Sequence, residues 1–262
     1  MIIRKLGIVN LEIIKYRFLK TVKHVLGKKN KDDFNWKLYN IHYRGELKEI
    51  SKTHTQVLQQ NDYIFENGYI RKNKDILPLH PNHSLLYETI LQLKPESVLE
   101  VGCGGGDHLQ NIGILSSNIA LYGLELSKEQ IDLLNSRHTN LHATIMQWDA
   151  TLPLPQETNR VDIAFTQAVI MHIQTEDNHL VALSNLFRTA TKQVILMENW
   201  TRHDFMADIN KLFFLKRIPW SEIFFYYRDS EELKKPHIMI ISSVPLTQYP
   251  VLSDYSILSD NV

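Results

Sequence analysis

The chain has 262 residues and no formal net charge, with 29 Lys and Arg against 29 Asp and Glu. That length suits one large domain, or one domain with an appendage, and the neutral balance speaks against broad nucleic-acid binding. Hydrophobic residues at 44% and charged ones at 22% describe a globular protein, and no apolar run reaches the roughly 20 residues of a membrane span. The single cysteine, Cys103, excludes an internal disulfide, and without a signal-peptide core the expected location is cytoplasmic.

Residues 1–31 are unevenly charged. Arg4, Lys5, Lys15, Arg17, Lys20, Lys23, Lys28, Lys29 and Lys31 face one acid, Glu12, while Ile3, Leu6, Ile14, Phe18, Val22, Val25 and Leu26 recur at helical spacing. Such a basic amphipathic segment docks on an anionic membrane surface or an acidic partner, or packs on its own domain with its lysines in water. Packing is the commoner fate. Residues 32–95 are aromatic-rich and show no clear sheet pattern until "LPLHPNHSLLYETILQL", where Pro81 and Asn82 offer a helix start.

A regular alternation follows. "ESVLEV" predicts a strand and "GDHLQNIGIL" a helix; "IALYGLEL" is a second strand, followed by a helix opened by Ser127 and Gln130 as a capping box. "LHATIMQWD" and "RVDIAFTQ" are the third and fourth strands, "EDNHLVALSNLFRTA" a helix, "KQVILMEN" the fifth strand and "HDFMADINKLFFL" a helix. "SEIFFYYRDS" and "KPHIMIISSV" form a closing antiparallel hairpin. The expected architecture is an α/β, Rossmann-like, seven-stranded and mostly parallel sheet, with a C-terminal antiparallel hairpin. It occupies residues 85–262, preceded by an N-terminal helical cap over residues 1–84. Ligands on such sheets bind beyond the carboxyl ends of the strands.

"LEVGCGGGDHLQ" stands at the first such end. Gly102, Gly104 and Gly106 let the chain turn sharply and bring a ligand against the backbone before a helix N-terminus. No Gly-Lys-Ser/Thr follows, which excludes a P-loop, and the dinucleotide fingerprint fails by one position because Asp107 stands where its third glycine is needed. Glu100 adds a carboxylate that suits a ligand with a cationic head. Glu125, ending the second strand, is placed to accept hydrogen bonds from ribose hydroxyls, a device that nicotinamide sites share. At the third strand's tip Asp149 can accept from an adenine amino group, with Trp148 or Ala150 lining the ring.

Taken together, these residues resemble the class I S-adenosylmethionine-dependent methyltransferases of the small-molecule type. "LEVGCGGG" matches that family's E/D-x-G-x-G-x-G loop, Glu125 its acidic residue, "QWDA" its adenine segment and "VDIAFTQAVIMHI" its fourth-strand motif. The resemblance covers roughly residues 85–245. It implies S-adenosyl-L-methionine as cofactor, with S-adenosyl-L-homocysteine as product. Gly102, Cys103, Gly104 and Gly106 would line its methionine and ribose, with Glu100 near the ammonium. Glu125 would hold the ribose, Leu126 and Asp149 the adenine, and Gln167 the methionine end. Cys103 then reads as a packing group, since nothing nearby lowers its pKa.

Methyl transfer is an in-line displacement that chiefly requires the acceptor to be held at about 3–3.5 Å. A base is needed only for an acceptor that carries a proton. His172, past the fourth strand, and Glu198, at the tip of the fifth, are the base candidates, with helix packing or capping as their alternative roles. Tyr43, Arg44, His80, Trp200 and His203 are candidates for the acceptor pocket. His80 and His83 lack the partners of a metal site, so no metal is expected. The amine-methyltransferase signature D/N-P-P-Y/F is absent, "TQAV" standing in its place. With neutral charge this points away from DNA, RNA and protein, toward a small-molecule acceptor. O-methylation of an anionic or sugar-related metabolite in a bacterial surface-glycan or secondary-metabolite pathway is the preferred analogy. Small-molecule N-methylation and a nicotinamide-dependent oxidoreductase are the alternatives.

Overall fold

A computed structural model describes residues 57–76, 78–154, 160–230 and 235–260. The basic segment at the start, Tyr43 and Arg44 lie outside the described residues.

The described chain opens with a two-stranded antiparallel hairpin, β1 (Tyr63–Glu66) and β2 (Tyr69–Lys72). Asn67 and Gly68 make the turn with φ of 53° and 85°, the backbone that a two-residue hairpin loop demands. This corrects the expectation that residues 32–95 carry no sheet pattern. "ENGY" is a strong hairpin signal, obscured in the sequence by aromatics on both faces.

Helix α1 (Pro81–Gln92) follows, with Pro81 in its first turn and the ring of His80 accepting from Asn82 N–H at its start. It crosses the expected division between residues 84 and 85. The hairpin is tied to it through Ile70 N–H to Glu88 (2.9 Å) and Gln92 Nε2 to Gly68 O (2.6 Å). On its other side Glu88 takes the Arg228 guanidinium at 2.7 Å.

Strands and helices then alternate: β3 (Ser97–Val101), α2 (Asp107–Leu115), β4 (Ala120–Glu125), α3 (Lys128–Arg137), β5 (Ala143–Gln147) and β6 (Val161–Gln167). A single 3-10 turn (Ile170–His172) leads to α4 (Asn178–Thr189), β7 (Ala190–Met197) and α5 (Phe205–Phe214). The sequence closes with β8 (Phe224–Ser230), β9 (Lys235–Ser242) and the short α6 (Ser256–Ser259). The seven-stranded sheet runs β5-β4-β3-β6-β7-β9-β8. Only β9 is antiparallel to its neighbours, as the closing hairpin requires.

Side chains alternate between two buried faces. Leu99, Val194, Leu196, Met239 and Ile241 pack under α4 and α5. Val98, Phe165, Ile195, Ile238 and Ile240 pack under α1 and α2. Covering both faces explains why the central strands read as continuous apolar runs. The winding reverses between β3 and β6, so their carboxyl ends flank the crevice where such sheets bind ligands.

The face under α4 is keyed by Phe187, fully buried and edge-on to Trp220 at 5.0 Å. Phe187→Ala should lower unfolding stability by about 3–5 kcal/mol, read from the urea midpoint at unchanged m-value.

Candidate functional site

The glycine loop leaves β3 with Gly102, Gly104 and Gly106 all at positive φ (77°, 51° and 78°). Gly102 has a second constraint: a Cβ there would stand 2.5 Å from Cγ2 of Val169. The loop therefore presses against the turn that leaves β6. At Gly104 the added carbon would meet only Gln130 Oε1, at 3.9 Å, so this part of the loop offers bare backbone to an open side.

Glu125 closes the loop from the neighbouring strand. Its two oxygens accept the N–H groups of Gly104 and Ser127, both at 2.8 Å. Burial raises its pKa, and hydrogen bonds from Ser127, Gly104 and Leu126 oppose the rise. The third strand is drawn in by Trp148 N–H to Glu125 O at 2.9 Å. Leu126 is 45% exposed beside it, and Trp148 Nε1 is buried with no hydrogen-bond partner. Asp149 turns Oδ1 onto the amide and hydroxyl of Thr151 (2.9 and 2.6 Å), while Ala150 O accepts from Asn185. The tips of β3, β4 and β5 thus gather Gly102, Gly104, Glu125, Leu126, Trp148 and Asp149 at one end of the sheet.

Glu100 is only 2% exposed, and its Oε2 has no hydrogen-bond partner among the described residues. Burial, then the charges of Asp107 and Glu125, push its pKa well above the usual carboxylate range. Asp107 is held by α3 through His138 Nε2 (2.7 Å) and Arg137 Nη2 (3.1 Å). An acid occupies the place of the third dinucleotide glycine, and structure is built around it. Behind the loop Tyr87 Oη contacts His108 Nδ1 at 2.7 Å and accepts from Asn111 at 3.0 Å. Burial pulls His108 down to about 4, so its imidazole is neutral. This network was not read from the sequence, because its members lie on two helices with no signature spacing.

Cys103 is buried, and its Sγ fills the space beside Gly123, where a Cβ would come within 2.7 Å. Burial pushes its thiol pKa up. It packs and is not poised for attack.

The fourth strand ends at Gln167, whose Oε1 is buried without a hydrogen-bond partner. Ala168 follows at φ 54°, and the chain then enters the 3-10 turn. Glu198 organises this turn. Oε1 accepts the Thr166 hydroxyl (2.7 Å) and the N–H groups of Val169 (3.1 Å) and Ile170 (3.2 Å), and Oε2 accepts from Met171 (3.0 Å). Its carboxylate is saturated by donors, which corrects its reading as a general base: it is an anchor. His172 ends the turn, half-buried, and burial with the nearby Arg202 charge lowers its pKa.

A cavity of about 300 Å³ opens here, lined by Asn82, Gln167, Met171, Trp200, His237 and Leu258 among others. Asn82 Oδ1, Gln167 Oε1 and Trp200 Nε1 are buried in it without hydrogen-bond partners among the described residues. Two expected pocket residues lie elsewhere. His80 spends its ring on the start of α1, and His203 stacks on His179.

Residues 98–193 match the family model described as a methyltransferase domain. That segment is similar to methyltransferase domains, and the strand order and loop above agree with the likeness. Over 106 residues the chain is 26% identical to an uncharacterized protein of transposon TN4556 from Streptomyces fradiae, covering 40% of this chain and 31% of that protein. The chain thus spans about a third of that curated relative. Among solved structures it is similar to an O-methyltransferase from a polyketide-synthase multienzyme of Brevibacillus brevis, at 25% identity and a TM-score of 0.36, covering 41% of this chain and 36% of that one. It is also similar to magnesium protoporphyrin IX methyltransferase from Synechocystis, at 15% identity and a TM-score of 0.43, covering 62% and 81%.

The cradle residues fit S-adenosylmethionine, the cofactor that the likeness implies. A buried carboxylate faces no cation among the described residues, bare backbone is left open at Gly104, and Glu125 stands at the loop. The state of Glu100 gives a test. Its raised pKa means the fold disfavours the charged form, so the destabilisation is absent below the unfolded-state value and grows as pH rises toward the folded one. Glu100→Gln should therefore raise the melting temperature at pH 7–8, with the gain shrinking toward pH 4, while S-adenosylmethionine binding weakens.

Proposed function

We propose that this protein transfers a methyl group from S-adenosylmethionine to an oxygen of a small polar metabolite. The cavity beyond β6 and β7 carries the reading. Its volume is at the small end for ligand pockets, and unsatisfied buried polar atoms in a mixed polar and apolar wall are what such pockets use to orient a ligand. Gln167 and Asn82 present acceptors and Trp200 a donor, a set that suits a polyhydroxylated or sugar-like molecule.

Bound S-adenosylmethionine supplies an electrophilic methyl on a positively charged sulfonium. The chain's own residues do the rest. Gly104 offers backbone, Glu100 a carboxylate toward the amino-acid end, and Glu125 acceptors toward the ribose. Leu126 and Trp148 form apolar walls for the base, and Asp149 has a carboxylate at its edge. Gln167 stands between cradle and cavity. His172 follows Met171 of the cavity wall, and we assign it the role of taking the acceptor's proton. Held neutral by burial and by Arg202, it accepts a proton across the physiological range.

The cradle also weighs against a nicotinamide dinucleotide. Asp107 would face a pyrophosphate, and its pairing with Arg137 and His138 leaves no glycine-like gap. The basic first thirty residues remain a candidate docking segment on a membrane surface or partner.

Incubation with radiolabelled S-adenosylmethionine across sugar nucleotides, phosphorylated metabolites and phenols tests the reading. Base-stable label on a sugar or phenol hydroxyl is expected, and label only on amines would replace O- with N-methylation. Glu125→Ala should weaken S-adenosylmethionine about 10- to 100-fold by calorimetry, the scale of lost hydrogen bonds to a charged acceptor. If His172 is the base, kcat should fall on the acid side with a midpoint below the ordinary 6.5. His172→Gln should remove that limb and lower kcat about 10²- to 10⁴-fold.

A further inference from the structure

Away from the cradle, three side chains from three elements converge at the carboxyl end of the sheet. His179 lies in the first turn of α4, Asp208 in the first turn of α5, and His203 in the loop between β7 and α5. One ring nitrogen of each histidine and one carboxylate oxygen lie within 4.8 Å of one another. We propose that His179, His203 and Asp208 bind a divalent transition-metal ion, Zn²⁺ by preference, which clamps the loop after β7 to the starts of α4 and α5.

The geometry goes further than chance proximity. His179 Nε2 and Asp208 Oδ2 stand 3.3 Å apart. Two ligand atoms on one tetrahedral Zn²⁺, with bonds of about 2.0–2.1 Å, are separated by roughly that distance. The two imidazoles stack side by side, with ring centroids 4.2 Å apart at an interplanar angle of 16°. His203 Nε2 is buried with no hydrogen-bond partner among the described residues. The remaining nitrogen of His203 bonds to the backbone at Ile170 and Ile173. A ligating histidine is commonly oriented in this way, one nitrogen on a carbonyl and the other left for the metal. Two imidazoles and one carboxylate form the donor set of a borderline ion, unlike the all-oxygen shells of Ca²⁺ and Mg²⁺.

The site is separate from the methyl-donor cradle but coupled to the acceptor side. Ile170 and Ile173 flank the turn that carries His172, and Tyr255 Oη donates to the carbonyls of both His203 (2.7 Å) and Trp200 (3.0 Å). An ion on His203 would hold the turn and the Trp200 wall in one position. The binding itself does not depend on which acceptor is methylated.

The full chain, stripped with a chelator and dialysed, is titrated with Zn²⁺ by calorimetry and with Co²⁺ by visible absorption. One equivalent is expected to bind at micromolar or lower concentration, with tetrahedral Co²⁺ bands and a higher melting temperature. His179→Ala combined with His203→Ala should abolish that equivalent, Asp208→Asn should weaken it at least tenfold, and His80→Ala with His83→Ala should leave it unchanged. If the double alanine variant does not fold, Asp208→Asn, checked by circular dichroism and retained S-adenosylmethionine binding, serves alone. Absence of saturable binding, or binding unaltered in the folded variants, overturns the proposal. Loss of S-adenosylmethionine binding by the unaltered chain would instead overturn the cofactor cradle.

Discussion

Glu198 holds together the parts of this molecule that matter for chemistry. A carboxylate at the end of β7 accepts from the Thr166 hydroxyl on β6 and from three successive amides after it. The backbone leaving β6 has no sheet partner for those amides, and leaving them unmet in a buried place would cost on the order of 1–3 kcal/mol each. One side chain satisfies all of them. In doing so it fixes Val169, and Val169 occupies the space that a side chain at position 102 would need. The glycine at the head of the methyl-donor loop is thus a consequence of the turn on the acceptor side. The glycine loop and the turn after β6 are one packed unit, so the proposed cradle and acceptor wall keep a fixed spacing, as a displacement reaction requires.

Three buried acids serve this region in different ways. Glu198 and Glu125 are both raised by burial and both stabilised by backbone amides. Glu100 has an oxygen without any hydrogen bond, and its neighbours Asp107 and Glu125 are acids. A protein of marginal stability tolerates such a group where a ligand compensates for it. The sulfonium and ammonium of S-adenosylmethionine bring the missing positive charge, so cofactor binding and the relief of a buried acid are the same event in this reading. The mostly neutral network of Tyr87, His108 and Asn111 behind the loop keeps the region dry without adding charge of its own.

The central sheet was legible because its strands are covered on both faces and its helices are amphipathic, so the two periods alternate cleanly between residues 97 and 214. The glycine loop was legible for a stricter reason: positive φ and close approach leave few residues other than glycine at positions 102, 104 and 106. The hairpin of β1 and β2 escapes the sequence reading although Asn67-Gly68 marks it, since its strands are four residues long and carry aromatics on both faces, Tyr63 and Phe65 on one and Tyr69 on the other. Glu198 was read as a base because sequence reveals a carboxylate at a strand tip and conceals where the amides point. That fact belongs to the turn after Ala168, whose φ of 54° no local signal announces.

The same blindness applies to sites assembled by topology. His179 and His203 are far apart in sequence, with an entire strand between them, and Asp208 belongs to the next helix. No metal motif spans such an interval, so the expectation of no metal rested on spacing alone. The winding of the sheet brings the start of α4, the loop after β7 and the start of α5 to the same end. It is the end at which α/β sheets expose loops of every crossover at once. A fold that gathers loop residues there places the proposed methyl-donor cradle at the first three strand tips. From the next two it has side chains left over, and stacked imidazoles beside a carboxylate are an arrangement with a chemical use.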